Sequence, residues 1–338
     1  MTRVAIRIAL AAILGITASA AAAQTLTTVK SRGSLNCGAN GTLAGFGATD
    51  AQGRWTGLDV DFCRAIAAAL FNDPNKVKFV PLSAKDRFTA LQSGEIDVLA
   101  RNTTWTSSRD STLGLNFTGV TYYDHQAFIV RKALSVKSAL ELNDAAICVQ
   151  QGTTTELNLA DYFRARKMKL KTVTFASADE AVKAYDSKRC DAYTTDASGM
   201  RSEMRKMVNP DEHVILDDVI SKEPLGPAVR QGDDQWFDMV KWVHFAMLTA
   251  EEFGITKANV DEMVKSDIPD IKRLLGTEGK HGEALGLSND WAYRIIKHVG
   301  NYGEVFERNV GQGSPLKLPR GFNALWNKGG LQYAPPIR

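Results

Sequence analysis

An α/β fold of two similar-sized lobes, each a mostly parallel sheet flanked by helices, is the architecture this sequence predicts. Three observations carry it. Strand and helix patterns alternate over residues 34–100, and the same alternation restarts over residues 145–194. Two extended stretches, Asp124–Val130 and Pro224–Val229, are placed to cross between the halves. The length of 338 residues suits about two domains, and 44% apolar with 23% charged residues is ordinary globular usage, which argues against disorder, collagen-like repeats and a polytopic membrane protein.

Taken in order, residues 1–23 read as a secretory signal: Arg3 and Arg7 precede the apolar run Ile8–Ile16 and the small-residue stretch Thr17–Ala23. The run is shorter than a membrane span needs. An Ala-x-Ala site at Ala21–Ala23 would leave Gln24 first, so a soluble exported protein is expected. Ser34–Ala39 is strand-like, a Gly-rich loop follows from Gly38 to Gly47, and Val60, Cys63, Ala67 and Leu70 recur at helical spacing over Val60–Phe71. Lys76–Val80 is a second strand, Asp86–Gln92 a short helix stopped by Gly94, and Asp97–Ala100 a third strand.

The second unit runs Ala145–Gln150 (strand), Thr155–Arg166 (helix), Lys171–Phe175 (strand), Ala178–Ser187 (helix) and Ala192–Thr194 (strand). Beyond it, Trp236, Val240, Val243 and Met247 mark a helix over Gln235–Phe253, followed by short helical pieces to Asn309 that are expected to pack on the first lobe. The expected division is lobe 1 at 24–123 plus 226–338, lobe 2 at 127–221, and a hinge near 122–127 and 222–226.

Export gives Cys37, Cys63, Cys148 and Cys190 an oxidising compartment, where disulfides are favoured. Four cysteines allow three pairings. Proximity favours Cys37–Cys63 and Cys148–Cys190, and the wide spacing suggests neither a thioredoxin-type nor a clustered zinc site.

Lys plus Arg (41) nearly balance Asp plus Glu (38), and no basic stripe marks a nucleic-acid footprint. Catalytic and phosphate-loop fingerprints are missing, and the five histidines are scattered, so neither metal nor cofactor is implied. The prominent run is Asn102–Arg109 (Asn-Thr-Thr-Trp-Thr-Ser-Ser-Arg), directly after a strand, where open α/β sheets bind ligands. It offers hydroxyls, including Thr104, and Arg109, whose planar fork suits a carboxylate. In the second unit, Thr153, Thr154 and Thr155 open a helix whose free N–H groups suit an anion, and Asp196 ends a strand. Guanidinium, helix N-terminus and carboxylate together describe a site for a zwitterion.

At these residues the sequence resembles the extracytoplasmic solute-binding proteins of polar amino-acid ABC transporters. The resemblance rests on Gly57–Asp61, Leu91–Val98, Gln151–Thr153 and Asp191–Asp196 in family order, and spans essentially the whole mature chain. Arg101–Thr106, Glu156–Arg164, Gly300–Glu304 and Tyr333–Arg338 resemble the general L-amino-acid binding subgroup. The resemblance implies a type II periplasmic-binding-protein fold and a function without catalysis: broad L-amino-acid binding and delivery, by lobe closure, to a membrane permease with a cytoplasmic ATPase. It implies that Asn102 and Thr104 contact the ligand, that Arg109 holds the α-carboxylate with help from the Thr153–Thr155 amides, and that Asp196 holds the α-ammonium. Asn40 and Phe46 fall where relatives often place an acid and an aromatic near the ligand side chain. The hinge reads Tyr-Tyr-Asp-His-Gln-Ala over 122–127, where the subgroup typically has glycine in place of His125 and Ala127.

No acid or cation partner for the side-chain end is evident in the sequence, and Asn40, Phe46 and Trp105 would serve polar and apolar side chains alike, so broad binding is expected. The protein is expected to be a monomer. Two other readings stay open: an exported lyase or dehydratase on the same scaffold, with Asp196 and Glu156 as the available acids, and a ligand-sensing receptor module, which should be followed by a transmembrane helix that is not seen after Arg338.

Overall fold

The computed structural model of the chain describes residues 25–338; the expected signal peptide and its cleavage site lie outside the described residues. Helix α1 (Thr25–Arg32) leads into β1 (Leu35–Ala39) and a small antiparallel meander of β2 (Thr42–Leu43), β3 (Gly47–Thr49) and β4 (Trp55–Thr56). Then come α2 (Leu58–Phe71), β5 (Val77–Pro81), α3 (Arg87–Ser93), β6 (Val98–Leu99), one π-helical turn at Ser108–Thr112 and β7 (Leu115–Phe117). The sequence reading had a plain Gly-rich loop where the meander lies. Strands of two or three residues are too short to show a period of two, so that difference has a simple cause.

The chain leaves lobe 1 through β8 (Tyr122–Asp124) and builds lobe 2 from β9 (Gln126–Arg131), β10 (Ala146–Gln150), α4 (Thr154–Ala165), β11 (Lys171–Phe175), α5 (Ala178–Asp186), β12 (Ala192–Asp196), α6 (Ala197–Met204) and β13 (His213–Ile215). It returns through β14 (Glu223–Leu225), which pairs antiparallel with β8 so that Glu223 faces Asp124 and Leu225 faces Tyr122. Gly226 follows at a close crossing: a Cβ there would sit 1.9 Å from the Gly119 carbonyl oxygen, so only glycine passes. Strand β15 (Ala228–Arg230) rejoins lobe 1, followed by α7 (Asp234–Glu252), α8 (Val260–Met263), α9 (Pro269–Leu275), α10 (His281–Ala284), α11 (Trp291–His298) and α12 (Tyr302–Asn309).

The two large sheets have matching orders, β5-β1-β6-β15-β7 and β11-β10-β12-β9-β13. In each, a parallel trio is extended by a strand that runs antiparallel to both its neighbours. That fourth strand is the one next to the hinge, so its direction follows from the chain entering or leaving the lobe there. The α7 face foreseen from spacing is buried: Trp236, Val240, Val243 and Met247 join one large core with α2, α11 and α12. Lobe 2 has two smaller cores, one on each face of its sheet. Cys37 pairs with Cys63, tying β1 to α2, and Cys148 pairs with Cys190, tying β10 to the approach to β12.

Candidate ligand-binding site

In both lobes the carboxyl ends of the parallel strands point at the cleft, the usual place for a ligand in open α/β sheets. Asn40 follows β1, the 101–109 loop follows β6, the 150–155 turn follows β10, and Asp196 ends β12. Between them lies a cavity of about 40 Å³. Lobe 1 contributes Asn40, Leu43, Arg87, Arg101, Asn102 and Thr104; lobe 2 contributes Gln150, Thr153, Thr154, Thr155, Tyr193, Thr195, Asp196, Gly199 and Glu203, among others.

On the lobe 1 side, Asn102 adopts φ 34°, and its N–H donates to the Asp59 carboxylate at 2.7 Å. Its side-chain oxygen accepts from Asn40 Nδ2 at 3.2 Å and from Arg101 Nη1 at 3.3 Å. Burial pushes Asp59 up to about 6, against the Asn102 N–H and the Arg101 charge that pull it down. Burial also pushes Arg101 down to about 10 and lowers Arg87 and Arg109. Arg87 donates to the Arg101 carbonyl and the Thr103 hydroxyl, while its Nε has no partner. Arg109 sits behind the wall instead of in it. Its Nη1 donates to the Thr104 carbonyl at 2.8 Å, and its guanidinium lies over the Phe88 ring, the ring that Arg87 also covers.

On the lobe 2 side, Gly152 takes φ 74° to turn the chain from β10 into α4. The Thr153 hydroxyl then accepts the Glu156 N–H at 3.1 Å, and the Glu156 carboxylate accepts the Gly152 N–H at 2.9 Å. Thr154 and Thr155 thus present first-turn amides that no intrahelical carbonyl can satisfy. Glu156 is committed to this turn, which removes one of the two acids an enzyme reading had available.

Asp196 is the N-terminal cap residue of α6. Burial, with the like charges of Asp124 and Glu223 nearby, pushes its carboxyl well above the usual range, opposed by Arg87 and by a hydrogen bond from Asn102 of the other lobe. Asp124 in turn is pushed up to about 6 by burial, while accepting the backbone N–H of His125 and both the N–H and hydroxyl of Ser198. The hinge strand β8 is therefore fastened to the start of the helix that carries Asp196.

The lobes touch across the cleft. Glu223, on hinge strand β14 and buried, accepts from Thr104 Oγ1 of lobe 1 at 2.6 Å and from Thr154 Oγ1 of lobe 2 at 2.8 Å, with Asn158 and Ser221 on its other oxygen. Thr104 and Thr154 hydroxyls are 3.2 Å apart. Lys206 Nζ, from lobe 2, reaches the Thr42 carbonyl of lobe 1 at 3.0 Å.

The structure brings Asn40, Asn102, Thr104, Thr153, Thr154, Thr155 and Asp196 to one cavity. It places Phe46 elsewhere, buried in the lobe 1 core with its ring edge-on to Tyr122. Trp105 stacks on Phe117, half-exposed, away from the cavity wall. The cavity is also lined by three charged residues that the sequence reading did not single out as binding groups: Arg87 and Arg101, which lie within reach of the Asp196 charge, and Glu203, an acid the side-chain expectation lacked. Arg101 was open to detection, since it directly follows a strand end. Glu203 lies seven residues after Asp196, on the same helix face, and only a helix drawn from Asp196 onward reveals it.

Residues 35–255 match the bacterial extracellular solute-binding proteins, family 3. The chain belongs to that family. It is 65% identical over 330 residues to the general L-amino acid-binding periplasmic protein AapJ of Rhizobium johnstonii, covering 97% of both chains. It is 54% identical over 328 residues, again 97% of each, to the glutamate/glutamine/aspartate/asparagine-binding protein BztA of Rhodobacter capsulatus. Among solved structures, an ABC-transporter periplasmic binding protein from Brucella ovis with glutathione bound superposes with TM-score 0.92 at 61% identity, covering 94% of this chain and all of that one. Family 3 members are solute-binding proteins, not enzymes, and the fold here is their type II architecture.

Proposed function

We propose that the protein binds L-amino acids outside the cytoplasm and hands them to the permease of an ABC transporter. The observation that carries this is the distribution of charge across one cavity: guanidinium groups come from lobe 1, while a helix N-terminus and the Asp196 carboxylate come from lobe 2. A zwitterion satisfies both walls only when the lobes meet. Its carboxylate goes to the guanidiniums that line the cavity from lobe 1, Arg87 and Arg101, and to the Thr153–Thr155 amides, its ammonium to Asp196, and the intervening Asn102 and Thr104 fix its orientation. The names of the amino-acid-binding relatives support the same ligand class.

Closure follows from differential contact. Moving a two-state equilibrium from 1:99 to 99:1 takes about 5.5 kcal/mol of differential affinity. Charge-assisted hydrogen bonds at about 1.5–3 kcal/mol each supply that from a few contacts. The hinge at β8 and β14 is the pivot, the closed form is what a permease recognises, and a monomer suffices for both. Delivery requires export, for which residues 1–23 carry the signal pattern.

Calorimetry on ligand-stripped protein tests this with the common amino acids, dicarboxylates, sugars and glutathione, whose glutamyl end carries the same ammonium and carboxylate. Amino acids should bind, and the same compounds without the α-amino group should bind poorly. Binding of sugars alone, or turnover of any bound compound, overturns the reading.

A further inference from the structure

The cavity holds two separate groups of charges. Those acting on Asp196 are Asp124, Glu223 and Arg87, whereas those acting on Glu203 are Lys206 and Asp179. Glu203 lies seven residues beyond Asp196 on α6, so a rise of about 1.5 Å per residue puts it roughly 10 Å along the helix. Between them Gly199, the only glycine on this stripe, presents no side chain, and a Cβ there would meet Leu43 of lobe 1 at 3.8 Å. Asp196, Gly199 and Glu203 thus line the same cavity along one face of α6, with a second acid beyond the ammonium anchor.

Glu203 is 1% exposed, and neither carboxylate oxygen has a hydrogen bond of normal geometry. Lys206 Nζ approaches Oε2 at 2.9 Å but also serves Asp179 and the Thr42 carbonyl. Two acids against one ammonium leave this end of the cavity net negative. The Tyr193 hydroxyl, close enough for the Glu203 charge to act on it, is buried without a hydrogen bond of normal geometry as well. Oε2 thus shares its one ammonium, and Oε1 has no partner at all; a buried acceptor left in that state is costly, and the cost is relieved by a donor delivered from outside the protein.

We propose that Glu203, with Tyr193 beside it, is a side-chain subsite that selects ligands ending in a hydrogen-bond donor, a carboxamide or a cationic group, over apolar side chains of equal length. This rests on the amino-acid reading above. The α-amino and α-carboxylate groups dock at Asp196 and the lobe 1 wall, and the side chain runs past Gly199 to Glu203. An alanine methyl stops short of Glu203 and serves as the internal reference.

The test is calorimetry of the full chain with alanine, norleucine, glutamine and lysine, for wild type, E203L and E203Q. Wild type should favour glutamine and lysine over norleucine by about tenfold or more, the size of one hydrogen bond to a charged group. E203L should invert that order, with norleucine gaining on alanine. E203Q keeps the shape and one acceptor, so it should keep glutamine while losing about tenfold on lysine relative to alanine. Equal binding of norleucine and glutamine by wild type, or ratios to alanine that neither variant moves by more than about twofold, overturns the subsite. If wild type binds none of the four, the amino-acid reading itself fails; if it binds them and the ratios stay fixed, only the subsite fails.

Discussion

Lobe 1 and lobe 2 arrange five strands in the same order, yet they are buttressed differently. Lobe 1 covers one face of its sheet with α2 and the long returning segment α7 to α12, which merge into one extensive core, and packs a small cluster around α3 on the other. Lobe 2 has only α4, α5 and α6, and its apolar side chains divide into two small clusters on opposite faces of the sheet. Binding chemistry is unequal as well. Lobe 1 lines the cavity with two buried guanidiniums, Arg87 and Arg101, whereas lobe 2 lines it with two buried carboxylates, Asp196 and Glu203. The frame decides where the site can be, and the padding around it decides which half tolerates change.

The largest effect should come from Asp196→Asn, which keeps shape but leaves a buried ligand ammonium without its counter-charge. Breaking such a pair costs about 3–5 kcal/mol, a loss of a hundredfold or more in affinity. The same substitution relieves a carboxylate crowded by Asp124 and Glu223, so the melting temperature of the unliganded protein should rise while the ligand-induced shift disappears. Arg109→Lys should weaken binding less, because Arg109 acts from behind the wall through the Thr104 carbonyl, and the Arg87 and Arg101 guanidiniums remain in the cavity lining. Wild-type affinity in Asp196→Asn, measured by calorimetry, would sink both the site and the asymmetry.

Next come the disulfides. Loop-closure entropy assigns each bridge about 3–4 kcal/mol. Since lobe 2 has the smaller cores, replacing Cys148 and Cys190 by serine should lower its melting transition further than the equivalent change at Cys37 and Cys63 lowers that of lobe 1. Differential scanning calorimetry reads this directly, and equal shifts would erase the claimed difference in buttressing.

A pH-dependent effect belongs to lobe 1. Asp59 is held at about 6 against an ordinary 3.8, so folding favours its protonated form. That stabilisation is fully present below about pH 4 and is lost as pH rises through 6. Asp59→Asn keeps an acceptor for the Asn102 N–H and does not titrate. Relative to it, wild type should lose about 2–3 kcal/mol between pH 4 and pH 7 in chemical denaturation. A pH-independent difference contradicts the assignment.

The smallest effect is expected at the junction of the lobes. Glu223→Gln preserves size but weakens the acceptor shared by Thr104 and Thr154, and affinity should fall about tenfold with folding stability nearly unchanged. If affinity is untouched, the hinge acceptor does not couple the two walls.

Much of this was legible in the sequence because it depends on local pattern. The α7 face, the β10–α4 turn and the two disulfides follow from spacing, capping chemistry and proximity. Asp196 and the 102–109 loop follow from the rule that ligands sit beyond strand ends. What escaped depends on contacts between distant segments. Phe46 reads like a ligand-facing aromatic, but its neighbour Tyr122 lies far along the chain and draws it into the core. Arg87 reads as a helix opener until the fold sets it beside Thr103 and Arg101. Glu203 shows in sequence only once a helix is drawn from Asp196, and its meaning comes from the fold, which buries it in the cavity wall with one ammonium shared with Asp179 and the Thr42 carbonyl.

The position of β15 has a consequence for how the molecule is made. That strand, Ala228–Arg230, lies between β6 and β7, so the lobe 1 sheet stays open until the chain has passed residue 230. Lobe 2, by contrast, is one uninterrupted stretch from β9 to β13. A chain emerging from its amino end can thus complete its second half before its first, and the half that starts later finishes sooner. Pulse-labelled thiols trapped during refolding or translocation should show Cys148–Cys190 secured while β6 and β7 still await the strand that joins them.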